Sequence, residues 1–496
     1  MNRILYFVLI GFLFSAQWVL SEEISFPAFI SDGMVLQQRS NAPLWGKSSE
    51  NSEITVVTSW DNKKYITRSD EKGNWKLRVA TPAAGGPYSI TFEEEGKRNA
   101  PGSATTSGSV ATTGTGTNRT TLHDILIGEV WLCSGQSNME MPMKGFKNQP
   151  VENSNMDILR SANPELRLFT VKRNSTIVPQ EDVSGEWSAA EPVSVREFSA
   201  TGYYFGRLVQ EILNVPVGLI NSSWGGSWVE SWMGSEMLAS FPEVEIPENE
   251  SDIREKNRTP TTLYNAMIAP LTGYAIRGMI WYQGESNYDR HETYTHLLKA
   301  MVAGWRAEWG QGSFPFYYCQ IAPYEYGLIT PEGEKVINSA YLREAQLKAE
   351  KEIENAGMVV LLDAGMEKGI HPVKKRVAGE RLALQALAKT YHVDGIAADS
   401  PVYKEMSVQG DTCVLSFDRA EMWLTARDGE LNNFTVAGED KVFYPAKAWI
   451  DRSKVYVQSE DVKHPVAVRY AFENYVEGDL YGTEGLPVSS FRTDDW

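Results

Sequence analysis

Three scarcities in this chain exclude more than its abundances assert. Only three cysteines occur in 496 residues, Cys133, Cys319 and Cys413. They are too few and too scattered for a disulfide framework, and their spacing fits no zinc pattern. Cys133 lies in an apolar run and reads as a small core residue rather than a nucleophile. Basic charge is also short: 47 Lys and Arg face 64 Asp and Glu, for a net charge of −17. A nucleic acid needs a basic footprint that this chain does not have, which argues against such a partner. Apolar runs long enough to span a bilayer are missing beyond the N-terminus, so no integral membrane segment is expected in the mature chain. Histidine is sparse too, with six residues and no His pair at i, i+4 beside a ligating Glu. Neither a metal nor any other cofactor is therefore expected.

What is present begins with a targeting pattern. Asn2-Arg3, the apolar stretch Ile4–Phe14 and the small residue Ser21 form a secretory signal peptide over residues 1–21. Export follows: secretion or a periplasm, with a lysosomal location for a eukaryotic source. Asn-x-Ser/Thr sequons at Asn174, Asn249, Asn257 and Asn433 matter where the source glycosylates. The 15 Trp and 22 Tyr make a high aromatic load, and rings that pack cores also stack on sugar faces.

The chain divides by pattern. Residues 24–98 hold short apolar runs such as Ile54–Val57 and Trp75–Leu77 between Gly and Pro turns, as in a small β-sandwich. Residues 99–121 are nearly all Gly, Ser, Thr and Ala, a linker composition. Residues 122–400 alternate strands with helices. Strands are expected at 215–220, 276–282, 314–321 and 358–363, and helices at 199–213, 293–309, 340–355 and 374–388. That alternation predicts an α/β fold, a mostly parallel sheet covered by helices on both faces. Residues 401–496 return to β, and the terminal Ser490–Trp496 segment is expected to dock on the body.

Four polar clusters follow strands of the α/β part: Gly135-Gln136-Ser137-Asn138, Asn221–Ser227, Gln283–Asn287, and Asp363 with His371-Pro372. Ligands in open α/β sheets bind at the C-terminal edge of the strands, so all four are candidates for one site. The chemistry that suits them is acyl transfer. A serine hydroxyl needs a base to become a nucleophile. Ser137 is the candidate nucleophile, and His371, the one histidine in a loop between a late strand and a helix, the candidate base. A tetrahedral oxyanion needs fixed donors, each worth about 3–4 kcal/mol. Backbone N–H groups of Ser137 and of the Gly225-Gly226 turn suit that role, completed by a side-chain amide of the third cluster.

These residues resemble a known family. The Gln136-Ser137-Asn138-Met139 turn, Trp224-Gly225-Gly226-Ser227, Trp281–Asn287 and Ile370-His371-Pro372 are similar in order and spacing to the sialate O-acetylesterases, SGNH-type carbohydrate acetylesterases. So are Ser31–Gln38 and Phe491–Asp494. The resemblance implies a secreted hydrolase that removes O-acetyl groups from sugars, with Ser137 as nucleophile and His371 as base. SGNH hydrolases often carry an Asp three residues before the histidine, where this chain has Lys368. Asp363 is the favoured replacement, with Glu367 or a backbone carbonyl as alternatives. The third oxyanion donor is Gln283 or Asn287. Trp224, Trp232 and Trp281 are the rings expected to stack on sugar. The alternatives are a catalytically silent sugar-binding protein, which would also use Trp228, and an esterase for acetylated plant polysaccharides. A lipase or peptidase would need a Gly-x-Ser-x-Gly elbow, which is not present.

Overall fold

The protein is described by a computed structural model over residues 24–95 and 118–496. The signal-peptide expectation for residues 1–21, and residues 99–117 of the expected linker, lie outside the described residues. The last part of that linker, residues 118–121, is strand.

It belongs to Asn118–Gly135, the longest strand, which serves two sheets at once. Its first half pairs antiparallel with Gly85–Glu94 (Ile90 opposite Leu122) and parallel with Val35–Gln37. Its second half pairs with Val217–Ser223 and Gly278–Tyr282, both parallel. The handover falls at Gly128, where a Cβ would stand 1.9 Å from the Pro216 carbonyl oxygen. A side chain there would push the flanking strand away.

The α/β part is a seven-strand path in the order Ala356–Val359, Phe316–Cys319, Gly278–Tyr282, Asn118–Gly135, Val217–Ser223, Asn163–Thr170, Trp187–Ala190. Every neighbouring pair is parallel except the last, which is antiparallel. With strands Val35–Gln37, Glu53–Thr58, Lys64–Arg68 and Gly85–Glu94 the whole forms one large mixed sheet; Asn41–Lys47 and Asn74–Ala80 pair apart, and small antiparallel sheets make up the C-terminal part.

The period-2 pleat divides the strand residues between two cores. Trp131, Cys133, Ile280, Tyr282, Tyr317 and Cys319 face one side, with Tyr204, Phe205 and Val209 of helix Ala200–Leu213 and Leu382 of helix Lys375–Gln385. Val130, Leu132, Met279, Trp281, Phe316 and Tyr318 face the other, with Leu298 and Trp305 of helix His291–Trp309 and Leu342 of helix Ala340–Glu352. Strands buried on both faces read as continuous apolar runs, and the sequence reads that way here.

The C-terminal segment returns to the body through Phe491, which stacks on Tyr403 (4.7 Å between ring centroids) and is buried. The terminal Trp496 stays 37% exposed under Lys441. Buried Arg343 donates to Ser490 Oγ (3.0 Å) and Gln320 Nε2 to Ser489 Oγ (2.8 Å), joining the two parts by buried polar bonds. Among the described residues no helix is long and apolar enough to cross a membrane.

Candidate active site

Strand register assembles the site. Gly135 pairs with Ser223 on one side and Tyr282 on the other. The next residues, Gln136, Trp224 and Gln283, therefore leave the sheet at one level. Two hydrogen bonds hold that level, Gln136 N–H to the Tyr282 carbonyl (2.9 Å) and Trp224 N–H to the Gly135 carbonyl (3.1 Å). At Gly135 φ is +137°, and a Cβ would stand 2.2 Å from the Tyr282 oxygen. Only glycine accommodates both the conformation and the approach.

Ser137 opens the short helix Ser137–Glu140 and is half-buried. As first residue of a helix its N–H has no intrahelical acceptor and is left for a ligand. Gln136 fixes the turn: its Oε1 accepts from Gly284 N–H (3.3 Å) and Ser286 N–H (3.2 Å), tying the first cluster to the third.

His371 meets Gln149 across a loop-to-loop contact, its Nδ1 bonded to the amide oxygen Oε1. An amide oxygen only accepts, so Nδ1 carries the proton and Nε2 is left as the basic nitrogen. The Phe146 ring stands edge-on to the imidazole at 5.2 Å. Glu152 N–H donates to the Val373 carbonyl (2.9 Å), which holds the Gln149 loop against the histidine loop. Burial, with the charge of Lys375, lowers the His371 pKa to about 4. The imidazole is neutral at neutral pH, the form a general base requires.

Several expected residues have other duties. Asp363 gives both carboxylate oxygens to Arg381, at 2.7 Å each. Burial pushes its pKa up, but the Arg381 bonds and charge bring it below the usual range. None of these bonds reaches His371, so the expected Asp363–His371 pairing is corrected: the group on Nδ1 is an amide. Glu367 is exposed.

The third oxyanion donor is corrected as well. Gln283 is fully buried, its Nε2 donating to the Ser227 carbonyl (3.1 Å) and Asn287 Oδ1 (2.7 Å). Asn287, equally buried, donates to Glu230 Oε2 (3.0 Å) and accepts from Val229 N–H (3.1 Å). Gln283 spends both its N–H groups on the loops, and Asn287 is turned into the core toward Glu230. Of the glycine pair, Gly225 gives its N–H to Glu140 Oε2 (2.8 Å). Gly226, at φ +71°, has no N–H partner among the described residues. A Cβ on Gly225 would lie 3.2 Å from Ser137 Cβ, so this turn packs against Ser137.

The three tryptophans divide. Trp232 and Trp281 are fully buried, packed edge to face at 6.1 Å in the core, and no sugar reaches them. Trp224 is half-buried beside the turn, with the Arg173 guanidinium 5.5 Å from its ring and Arg173 paired to Glu140. Trp228, half-buried, is covered by Arg290 at 3.9 Å.

A polar cluster behind Ser137 had little signal in the sequence. Asn138 donates through Nδ2 to Glu285 Oε1 and to the Ile370 carbonyl (3.0 Å), and accepts through Oδ1 from Lys375 Nζ. All three side chains are buried. The available hint was Lys374-Lys375 at the start of a helix, where positive charge opposes the helix dipole. Gln149 lies exposed in an irregular loop and gave no hint.

A serine on a strand-end turn, a neutral histidine and a glycine pressed against that serine fit an ester hydrolase on an α/β sheet. The comparisons place it further. Residues 127–387 match the family model described as carbohydrate esterase, sialic acid-specific acetylesterase, and the chain belongs to that family. It is 27% identical to the mouse sialate O-acetylesterase, over 94% of this chain and 93% of the mouse protein. The human sialate O-acetylesterase is 26% identical over 77% of this chain and 74% of its own. Among solved structures, a carbohydrate acetylesterase from Xanthomonas citri superposes with a TM-score of 0.82 at 36% identity, over 95% of this chain and all of that one. The protein is thus a carboxylic ester hydrolase of the carbohydrate esterase class.

Proposed function

We propose that this protein is an exported SGNH-type serine esterase that removes O-acetyl groups from carbohydrates through an acetyl-enzyme intermediate. Ser137 Oγ attacks the acetyl carbonyl carbon while His371 Nε2 takes its proton. The resulting oxyanion is met by the Ser137 N–H, with Gly226 N–H beside it. Collapse breaks the bond to the sugar oxygen, and the imidazolium returns the proton to that oxygen. Water then repeats the sequence on the acetyl-serine, releasing acetate and restoring both groups.

The observation that carries this reading is a half-buried serine whose next residue, Asn138, bonds the Ile370 carbonyl beside a histidine held neutral by burial and bonded through Nδ1 to Gln149. Export rests on the pattern of residues 1–21. The names of the mouse and human relatives make O-acetylated sialic acid the first substrate to try, and acetylated plant polysaccharide the second. A silent sugar-binding role loses two of its four rings, because Trp232 and Trp281 are core residues and only Trp224 and Trp228 are half-buried.

Acetate release from a panel of O-acetylated glycans and from p-nitrophenyl acetate tests the proposal. Ser137→Ala and His371→Ala should each cost about 10⁴-fold or more in kcat. Full rate in both variants would overturn it.

A further inference from the structure

The Asn138–Lys375–Glu285 cluster is not used by the chemistry above, yet it joins the two segments that must stay in register. Asn138 follows the nucleophile directly. Its Nδ2 reaches the Ile370 carbonyl, one residue before His371, and its Oδ1 receives Lys375, four residues after it. Thr201 Oγ1 holds the Asn138 carbonyl from the neighbouring helix (3.0 Å). Through Glu285 the same amide reaches the third cluster. Burying an ammonium and a carboxyl together costs more than packed apolar side chains would. Lys375 is 1% exposed and Glu285 4%, and Glu285 Oε2 is buried with no hydrogen-bond partner. A purely structural tie between two loops has no need of such groups.

We propose that Asn138, Lys375 and Glu285 are positioning residues, a buried polar bridge that sets the distance between the serine turn and the histidine loop and places a cation behind the base. This rests on the Ser137–His371 reading. The electrostatic consequence has a fixed sign. Among the described residues Lys375 is the charged group acting on His371, and it opposes protonation of the imidazole. Glu285 and the Cys319 thiol act in turn on Lys375. Burial lowers the Lys375 pKa to about 7 and raises that of Glu285. Below neutral pH the ammonium is charged and the bridge keeps His371 unprotonated, so hydrolysis extends into acid conditions.

The test is kcat and KM against pH on p-nitrophenyl acetate, for the full chain and for Lys375→Met and Glu285→Gln. Lys375→Met should lower kcat about tenfold with KM nearly unchanged, and should move the acid limb of kcat/KM up by about one pH unit, toward an ordinary histidine. Glu285→Gln leaves the cation in place, so it should lower kcat severalfold without raising the acid limb. Wild-type kcat and an unmoved acid limb in Lys375→Met would overturn the proposal. Should Lys375→Met not fold, wild-type kcat in Glu285→Gln would do so. Active Ser137→Ala and His371→Ala would instead overturn the reading beneath it, so the two failures are distinguishable.

Discussion

Replacing Asp363 with Asn separates two roles that a strand-end carboxylate near a histidine loop can have. The structure gives both its oxygens to Arg381, with side chains only 15% and 13% exposed. Removing one partner of a pair this enclosed leaves the other charge uncompensated. Fully buried pairs lose about 3–5 kcal/mol in that way. Asn keeps one acceptor for the guanidinium, and the residual exposure screens the charge, so about 2 kcal/mol is expected. The loss should appear as a lower urea midpoint at pH 7. Its pH dependence has a definite sign. The folded carboxyl titrates below its unfolded value, so its stabilisation is complete above the unfolded pKa and disappears as pH falls through the folded one. Wild type and variant should therefore differ at pH 7 and converge in strong acid. On p-nitrophenyl acetate, kcat/KM of the folded variant should stay within about threefold of wild type. A loss near 10⁴-fold, the scale seen when a histidine's orienting acid is neutralised, with unchanged stability would refute the reasoning.

Gln149→Ala should behave in the opposite way: exposed and in a loop, it changes the urea midpoint little, but kcat falls about 10- to 100-fold because His371 loses the acceptor that fixes its tautomer. Gly225→Ala should fold and lose most activity, since the new Cβ presses on Ser137 Cβ at 3.2 Å and on Glu140 Oε2 at 3.1 Å; thermal melting and kcat together decide it. Trp232→Ala should cost about 3–5 kcal/mol in denaturation while the KM for acetylated sugar in the folded fraction stays the same, because the ring is entirely in the core.

The parts of the site legible in the sequence are those fixed by local rules. An apolar run that ends in Gly135 and gives way to Gln136-Ser137 marks a strand end, because the pleat and the glycine break are properties of a few consecutive residues. Parallel pairing then aligned three such ends at one level, as the repeated strand–cluster order implied. Helices 200–213 and 291–309 were legible for the same reason, their apolar stripes being local.

The rest depended on which side chain reaches which, and over long separations the chain gives no rule. The partner of His371 comes from a loop 222 positions away, while the nearer Asp363 was taken by Arg381, 18 positions beyond it. Aromatic content did not say which tryptophans face solvent, because a ring's fate is decided by the layers packed over it. The sequence by itself determined the alternation of strands and helices, the serine turn and the histidine loop, since each is written in residues that touch their neighbours in the chain. Only the tertiary structure decided that Gln149 meets His371 and that Lys375 is buried against Asn138, because those contacts follow from where separate segments meet.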